Sequence, residues 1–312
     1  MAEIPVPYSR ATFADASEQE RGLTGWRQSY CQLKPGLYRG EVETLALDGV
    51  TIHRERINLA VQQRTAPPLG KAVYAKLLGD SDPWRVNAMA IDTESLTILR
   101  RPEEQTVAFA DNSDLLILSV DEAAVGAPET GDPTASAAPA GEAFGFLASW
   151  VLSLMAHFSA VEGGVAGELA TVLPGMIIDR VQFVHGKVVE RTSPGRGVAA
   201  NDVRLFRLAR DVAEAEAGDG LTVADLAART GVPPDVLRDA FMRTVGVGPG
   251  TWLRSRRLDG ARRDLLEAGR TGARVTDIAA KWGFWHFGRF AASYAAYYGE
   301  PPSRTARRGG GA

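Results

Sequence analysis

One cysteine, four histidines and no unbroken apolar run near the roughly 20 residues of a membrane helix set the first limits on this 312-residue chain. A lone Cys31 excludes an internal disulfide and any multi-cysteine zinc or iron–sulfur site. His53, His157, His185 and His286 are scattered, with no His-x-His or His-Glu-x-x-His spacing, so neither a metal nor another cofactor is expected. Gly-x-Ser-x-Gly, phosphate-binding and dinucleotide fingerprints are missing too. Gly163-Gly164 reads as a turn and Gly309-Gly310-Gly311 as a tail. Acidic and polar residues follow Met1 where a leader would place basic and apolar ones, so a cytoplasmic protein with no membrane partner is expected.

The chain exceeds the usual single-domain size, and two domains are the natural expectation. Its formal net charge of −3 hides an asymmetry, because residues 1–220 carry 20 basic and 30 acidic side chains and residues 221–312 carry 15 and 8. A basic module joined to an acidic one can bind a polyanion without the whole protein doing so indiscriminately.

Short runs at Tyr38–Leu47, Val50–Gln62, Val73–Leu78, Leu96–Leu99 and Leu115–Val120 favour strands, and turn residues such as Asp48-Gly49 separate them. That pattern predicts a sandwich or barrel. Gly126–Gly141, rich in Ala, Pro, Gly and Thr, reads as a flexible linker. Glu142–Phe158 and Gly163–Val172 then place apolar residues at helical spacing, with Phe146, Trp150, Leu154 and Phe158 as an i, i+4 series. These helices either form a dimer interface or pack on the chain's own barrel.

Downstream the chain repeats itself after about 52 residues. Asp225-Leu226-Ala227 recurs as Asp277-Ile278-Ala279, Gly231 as Gly283, Leu237 as Phe290, Phe241 as Tyr294 and Pro249 as Pro302. In each unit an apolar first helix (Val223–Arg229; Val275–Lys281) carries a small Ala for close crossing, and Gly permits the sharp turn that follows. The second helix (Pro234–Val245; His286–Tyr298) packs back on the first and leaves its other face free for a DNA major groove. Thr222 is placed to cap the first helix, with Asp225 in its opening turn. Gly250–Glu267 is an amphipathic bridge with a basic side.

Leu221-Thr-Val-Ala-Asp-Leu-Ala, Arg256-Arg-Leu-Asp-Gly-Ala-Arg-Arg-Asp-Leu-Leu and Gly283-Phe-Trp-His-Phe-Gly-Arg-Phe make residues 202–308 resemble the DNA-binding domain of AraC/XylS-type transcription regulators. The last of these segments also resembles the subgroup that includes ethanolamine- and amine-catabolism regulators. Cys31-Gln-Leu-Lys-Pro-Gly and Arg54-Glu-Arg-Ile-Asn are similar to that subgroup's cupin-like sensing domain. The resemblance implies an α+β fold: an N-terminal cupin-like β-barrel or sandwich, helices, then an all-α domain with two helix-turn-helix motifs joined by a long helix. It implies a sensing domain at 1–125, a linker at 126–141, a dimerising or connecting region at 142–200 and a DNA-binding domain at 202–308. The implied partners are promoter DNA, RNA polymerase, a small-molecule effector and a second copy of the chain.

By position, Asp235, Arg238, Asp239 and Met242 face outward on the first reading helix, and Arg238 can donate two hydrogen bonds to guanine. Trp285, His286, Gly288 and Arg289 open the second, although Trp285 serves equally as a packing residue. Family members often carry an arginine where Ala292 stands, which points the second unit toward thymine-methyl and backbone contacts. Arg243, Arg304, Arg307 and Arg308 are phosphate candidates, each otherwise a solvated arginine. Tyr38, Arg54, Arg56 and Trp84 combine charge and aromatic surface suited to a polar effector. Two other classes compete: a cupin-like enzyme with an accessory nucleic-acid-binding module, and an alkyl-transfer repair protein, for which Cys31 lacks a neighbouring base.

Overall fold

The computed structural model describes residues 4–5, 8–100, 103–126, 135–160, 164–165, 167–189, 198–216 and 220–308. The chain runs through β1 (Ile4–Pro5), β2 (Tyr8–Phe13), α1 (Ala16–Gln19), β3 (Arg27–Gln32), β4 (Gly40–Leu47), β5 (Val50–Ile57), β6 (Val61–Ala66) and β7 (Lys71–Leu77). Next come β8 (Trp84–Val86), β9 (Met89–Ile91), β10 (Ser95–Leu99), β11 (Gln105–Phe109), β12 (Ser113–Asp121), α2 (Glu122–Val125) and β13 (Ala135–Pro139). Helices α3 (Gly141–Ala160) and α4 (Gly167–Val189) follow, with the short β14 (Gly164–Val165) between them pairing with β1. The rest is helical: α5 (Val198–Ala215), α6 (Val223–Thr230), α7 (Pro234–Val245), α8 (Pro249–Thr271), α9 (Val275–Lys281), α10 (Phe287–Tyr298) and α11 (Pro302–Arg308). The expected α+β class is the one observed.

Two antiparallel sheets build the N-terminal domain, in the orders β13-β10-β7-β12-β5-β4-β2 and β3-β6-β11-β8-β9. Strand alternation sorts their side chains into two cores. Leu45, Val50, Ile52, Leu116 and Leu118 face α3 and α4, whereas Val42, Ile57, Leu115 and Ile117 join Trp84, Val86, Val107 and Phe109 between the sheets. The expected strand Val50–Gln62 is two strands in different sheets, broken where the Asn58 amide donates to the Leu37 carbonyl and its side-chain oxygen accepts from the Arg39 N–H. A chain that passes from one sheet to the other must leave the ladder, and polar Asn58 supplies the lost partners.

Three further expectations change. Inside the stretch read as a linker, Ala135–Pro139 pair with β10 as the edge of the larger sheet, where small residues pack under α4; residues 127–134 lie outside the described residues. The second helix extends from Gly167 to Val189 rather than Gly163 to Val172, and Gly163 lies outside the described residues, as do Gly309–Gly311. On α3 the buried stripe is Phe144, Leu147, Val151, Met155 and Phe158, so Phe146 of the expected series stays 76% exposed. This stripe packs on the chain's own sheet.

α3 also overturns the expectation that nothing reaches membrane-helix length, since 20 residues with a mean hydropathy of 1.5 qualify by length and composition. Scattered Ser, Gly and His residues interrupt the apolar run but still leave its mean at 1.5. In the fold the helix closes the larger sheet.

Candidate nucleic-acid interface and effector sites

Each C-terminal unit folds for local reasons. α6 begins with a reciprocal capping box, in which the Thr222 N–H donates to the Asp225 carboxylate at 2.9 Å and the Asp225 N–H to Thr222 Oγ1 at 3.2 Å. It ends at Gly231, whose φ of +71° suits glycine, and Pro233 and Pro234 launch α7. Ala227 and Ala279 are both buried at the helix crossings, as the repeat requires. Around the first unit, Phe206, Phe241 and Trp252 form a mutually edge-on cluster with centroids 4.9–5.5 Å apart. Leu258, Leu265, Ile278, Phe290 and Tyr294 centre the second.

α8 joins the units at close quarters. Trp282 lies so near Gly260 that a Cβ there would meet its ring at 2.1 Å, and its indole N–H donates to Asp264 at 2.7 Å. Reading the sequence did not single out this pair, and only the length of the bridging helix hinted that something must fix its pitch against α9.

On α7, Asp235, Arg238, Asp239 and Met242 are exposed as expected. Arg238 forms no ion pair among the described residues and stands open to a ligand. Arg243 differs: Asp202 of α5 holds it bidentately at 2.6 and 3.0 Å. Its charge is largely used inside the domain. At the start of α10, Trp285, His286, Phe287, Gly288 and Arg289 are all exposed, with Trp285 at 69%. Trp282, three residues earlier, does the packing. Arg304 reaches Glu300 only at 3.7 Å, Arg307 is exposed, and Arg308 lies between Asp15 at 3.5 Å and Glu300 at 3.4 Å.

Of the expected basic side of α8, Arg254 stays exposed, whereas most of the rest is turned onto the protein. Arg256 pairs with Glu214, Arg263 with Glu20 and Asp259, and the buried Arg262 with the buried Asp15. A charge as deep as Arg262 must be paired, and it and the half-buried Arg256 and Arg263 bind the rest of the chain. For Asp15, burial works to raise the pKa, but the Arg262 charge and hydrogen bonds from Ser17 and Arg262 overcome it and hold the carboxyl below its ordinary value. The N-terminal domain thereby clasps the second unit. Gly36 donates its N–H to the Tyr297 carbonyl at 2.8 Å, and the Tyr297 hydroxyl donates to the Gln32 carbonyl at 2.9 Å.

The four effector candidates do not meet in one place. Trp84 sits between the sheets, stacked on Phe109 at 5.3 Å. Arg54 and Arg56 project from the opposite face of β5, Arg54 onto Asp114 at 2.7 Å and Arg56 onto Glu41 and Glu43. Tyr38 and Arg56 share a cleft of about 790 Å³ between this domain and the second unit. Glu55, the residue between the two arginines, is the one that enters the barrel interior, and sequence reasoning missed it although strand parity alone predicts it. Its Oε1 accepts from Gln19 at 2.8 Å, while Oε2, both polar atoms of the Gln28 amide and the indole nitrogens of Trp26 and Trp84 are buried without partners among the described residues. Burial pushes the Glu55 pKa up, against hydrogen bonds from Tyr30 and Gln19. The space among these groups is about 20 Å³. A water needs roughly 10–15 Å³, so about one fits.

Comparison with known proteins bears on one part of this geometry. Residues 226–308 match the family model described as a helix-turn-helix domain. The chain is 42% identical over 103 residues to a probable thc operon regulatory protein of Rhodococcus erythropolis, covering 33% of this chain and 31% of that one. It is 36% identical over 75 residues to the XylDLEGF operon transcriptional activator of Pseudomonas putida, covering 24% and 23%. The chain thus spans less than a third of the length of either relative. Among solved structures it aligns with the AraC-like transcriptional activator CuxR at 14% identity and a TM-score of 0.41, over 88% of this chain and 100% of that one. Residues 226–308 are a helix-turn-helix domain.

Proposed function

We propose that this chain is a sequence-specific, DNA-binding transcription regulator of the AraC/XylS type that responds to a small molecule held by its N-terminal domain. The observation that carries the reading is the pair of outward helix faces, Asp235–Met242 on α7 and Trp285–Arg289 on α10, mounted on the single helix α8. Two such faces on one rigid bar suit successive major grooves, roughly 34 Å apart. Arg238 is the leading base-reading residue, and Arg307 and Arg304 are phosphate contacts. A cytoplasmic location and contact with RNA polymerase follow from the same reading.

Genome-wide fragment selection with the purified chain, followed by salt titration of the best fragment, tests it. The expected motif has two half-elements about one helical turn apart. Arg238→Ala should cost about 1–3 kcal/mol at one half-element and relax its sequence preference, whereas Arg307→Ala should reduce the salt slope by about one phosphate. Weak, salt-sensitive binding indifferent to sequence would sink the proposal.

The outer faces of α3 and α4 expose Phe146, Met176 and Phe183 around one groove. Apolar residues contiguous across two helices suit a second copy of the chain. Sedimentation of the full chain at micromolar concentration should give a dimer that Phe183→Glu dissociates; a wild-type monomer would remove the dimer from the proposal.

A further inference from the structure

The two helix-turn-helix units share α8 but are fixed to it differently. The first packs on its opening turns through Trp252 and Leu253, and the second on later turns through Leu258, Ala261 and Leu265. Among the contacts of the second unit lies Gly260, buried in the middle of the helix, where glycine is less stable than alanine and needs a packing reason. The reason is the Trp282 ring, which occupies the space a Cβ would take. Asp264, one turn further along α8, orients that ring. Its Oδ2 accepts from the Trp282 indole N–H at 2.7 Å and lies 2.8 Å from Lys281 Nζ. Trp282 is the C-cap of α9, and after it come Gly283, with a φ of +74°, and Phe284, which packs on Phe290 of α10 at 4.9 Å. A short turn therefore ties the second reading helix to the bridge.

The helix-turn-helix fold itself does not demand this lock. Thr230 holds the same place in the first repeat, directly before Gly231 as Trp282 is directly before Gly283. Its hydroxyl donates to the Leu226 and Ala227 carbonyls at 2.8 and 3.2 Å, and both bonds stay within α6. Position 230 closes its own helix, whereas position 282 fastens α9 to α8.

We infer that Gly260, Asp264 and Trp282 are positioning residues, which hold α10 at a set pitch and distance from α7 and so select the spacing between the two DNA half-elements. Gly260 sets how closely α9 approaches α8, and the indole hydrogen bond sets the angle. A planar side chain held at its six-membered ring by the glycine and at its nitrogen by a carboxylate has no free rotation left. One extra base pair moves a half-element about 3.4 Å along the duplex and about 35° around it. Hydrogen bonds to base edges weaken steeply under such a displacement, so a stiff pair of readers rejects the altered spacer and a loose pair accepts it.

The spacing, though not the lock, rests on the regulator reading, and two measurements keep them apart. Without DNA, spin labels on Val236→Cys and Arg289→Cys, in a Cys31→Ser background, report the separation of α7 and α10 by pulsed electron spin resonance. The distribution should be narrow in this parent. It should broaden or shift in Asp264→Ala and Trp282→Phe, which lose the indole bond, but not in Asp264→Asn, which keeps the acceptor. Gly260→Ala should shift it too, and because alanine favours the helix, a shift there does not come from a melted bridge. With DNA and unlabelled protein, affinity is measured for the selected operator and for versions with one base pair added to or removed from the spacer. Wild type should bind the altered spacers about tenfold more weakly, whereas Asp264→Ala and Trp282→Phe should accept them almost as well as the original and bind the first half-element alone as before. Distances unchanged in every variant, a spacer preference that both substitutions leave intact, or a wild type indifferent to the spacer overturns the inference. A chain that selects no DNA sequence, with distances that still change as expected, keeps the lock and overturns the regulator reading instead.

Discussion

Replacing Trp252 by alanine is expected to cost about 3–5 kcal/mol and to abolish DNA binding by the first helix-turn-helix unit. The indole is fully buried on α8, edge-on to Phe206 of α5 at 5.5 Å and to Phe241 of α7 at 5.4 Å, so one residue packs three helices together. Its N–H also donates to Gln62 of β6 at 3.4 Å, and Arg256 lies 5.6 Å from the ring centroid. Deletion therefore leaves a cavity, an unpaired amide oxygen on Gln62 and the loss of the Arg256 ring contact together. Urea denaturation followed by circular dichroism checks the size of the loss, and a change under about 1 kcal/mol would show that the cluster is not the pivot of the unit. Trp252→Phe keeps most of the ring contacts and should fall well short of the alanine cost.

Arg262→Ala is expected to cost about 3–5 kcal/mol as well, by another route. Asp15 is 3% exposed and the Arg262 side chain 8%, so truncating the arginine strands a buried carboxylate. Arg308 at 3.5 Å gives it only partial replacement. Because Asp15 belongs to the β domain and Arg262 to the bridge, the domains should melt separately in the variant where they melt together in the wild type. A double-mutant cycle with Asp15→Ala isolates the pair, and a coupling energy near zero would refute the clasp. The pH dependence has a definite sign. With the Asp15 pKa held below its ordinary 3.8, the pair's contribution is present at neutral pH and is lost as pH falls below 3.8 through the folded value.

Much of the C-terminal domain was legible because its signals are local. The helix pattern, the Thr222 cap, the Gly231 turn and the Pro234 start each depend on neighbours a few residues away, and the observed bounds of α6, α7, α9 and α10 lie within a residue of those read from the pattern. The candidate reading face was legible for the same reason: Leu237 and Phe241 fix the buried side of α7, which leaves Asp235, Arg238 and Asp239 outside. Arg243 was not, because its partner Asp202 lies 41 residues away on α5. In the β domain the errors are of strand parity and long-range pairing. Arg54 and Arg56 share one face and Glu55 the other, and β13 looks like linker until the edge of β10 provides its hydrogen bonds.

By itself the sequence determined two helix-turn-helix repeats, the residues that cap and core them, and a strand-rich acidic domain ahead of them. Tertiary structure alone decided which arginines remain available, since a guanidinium's role depends on whichever carboxylate the fold brings within about 4 Å. It alone also decided that the barrel interior is nearly full while a cleft opens between the domains. Volume is left over wherever two surfaces, each shaped by its own core, meet imperfectly, and no stretch of sequence carries that information.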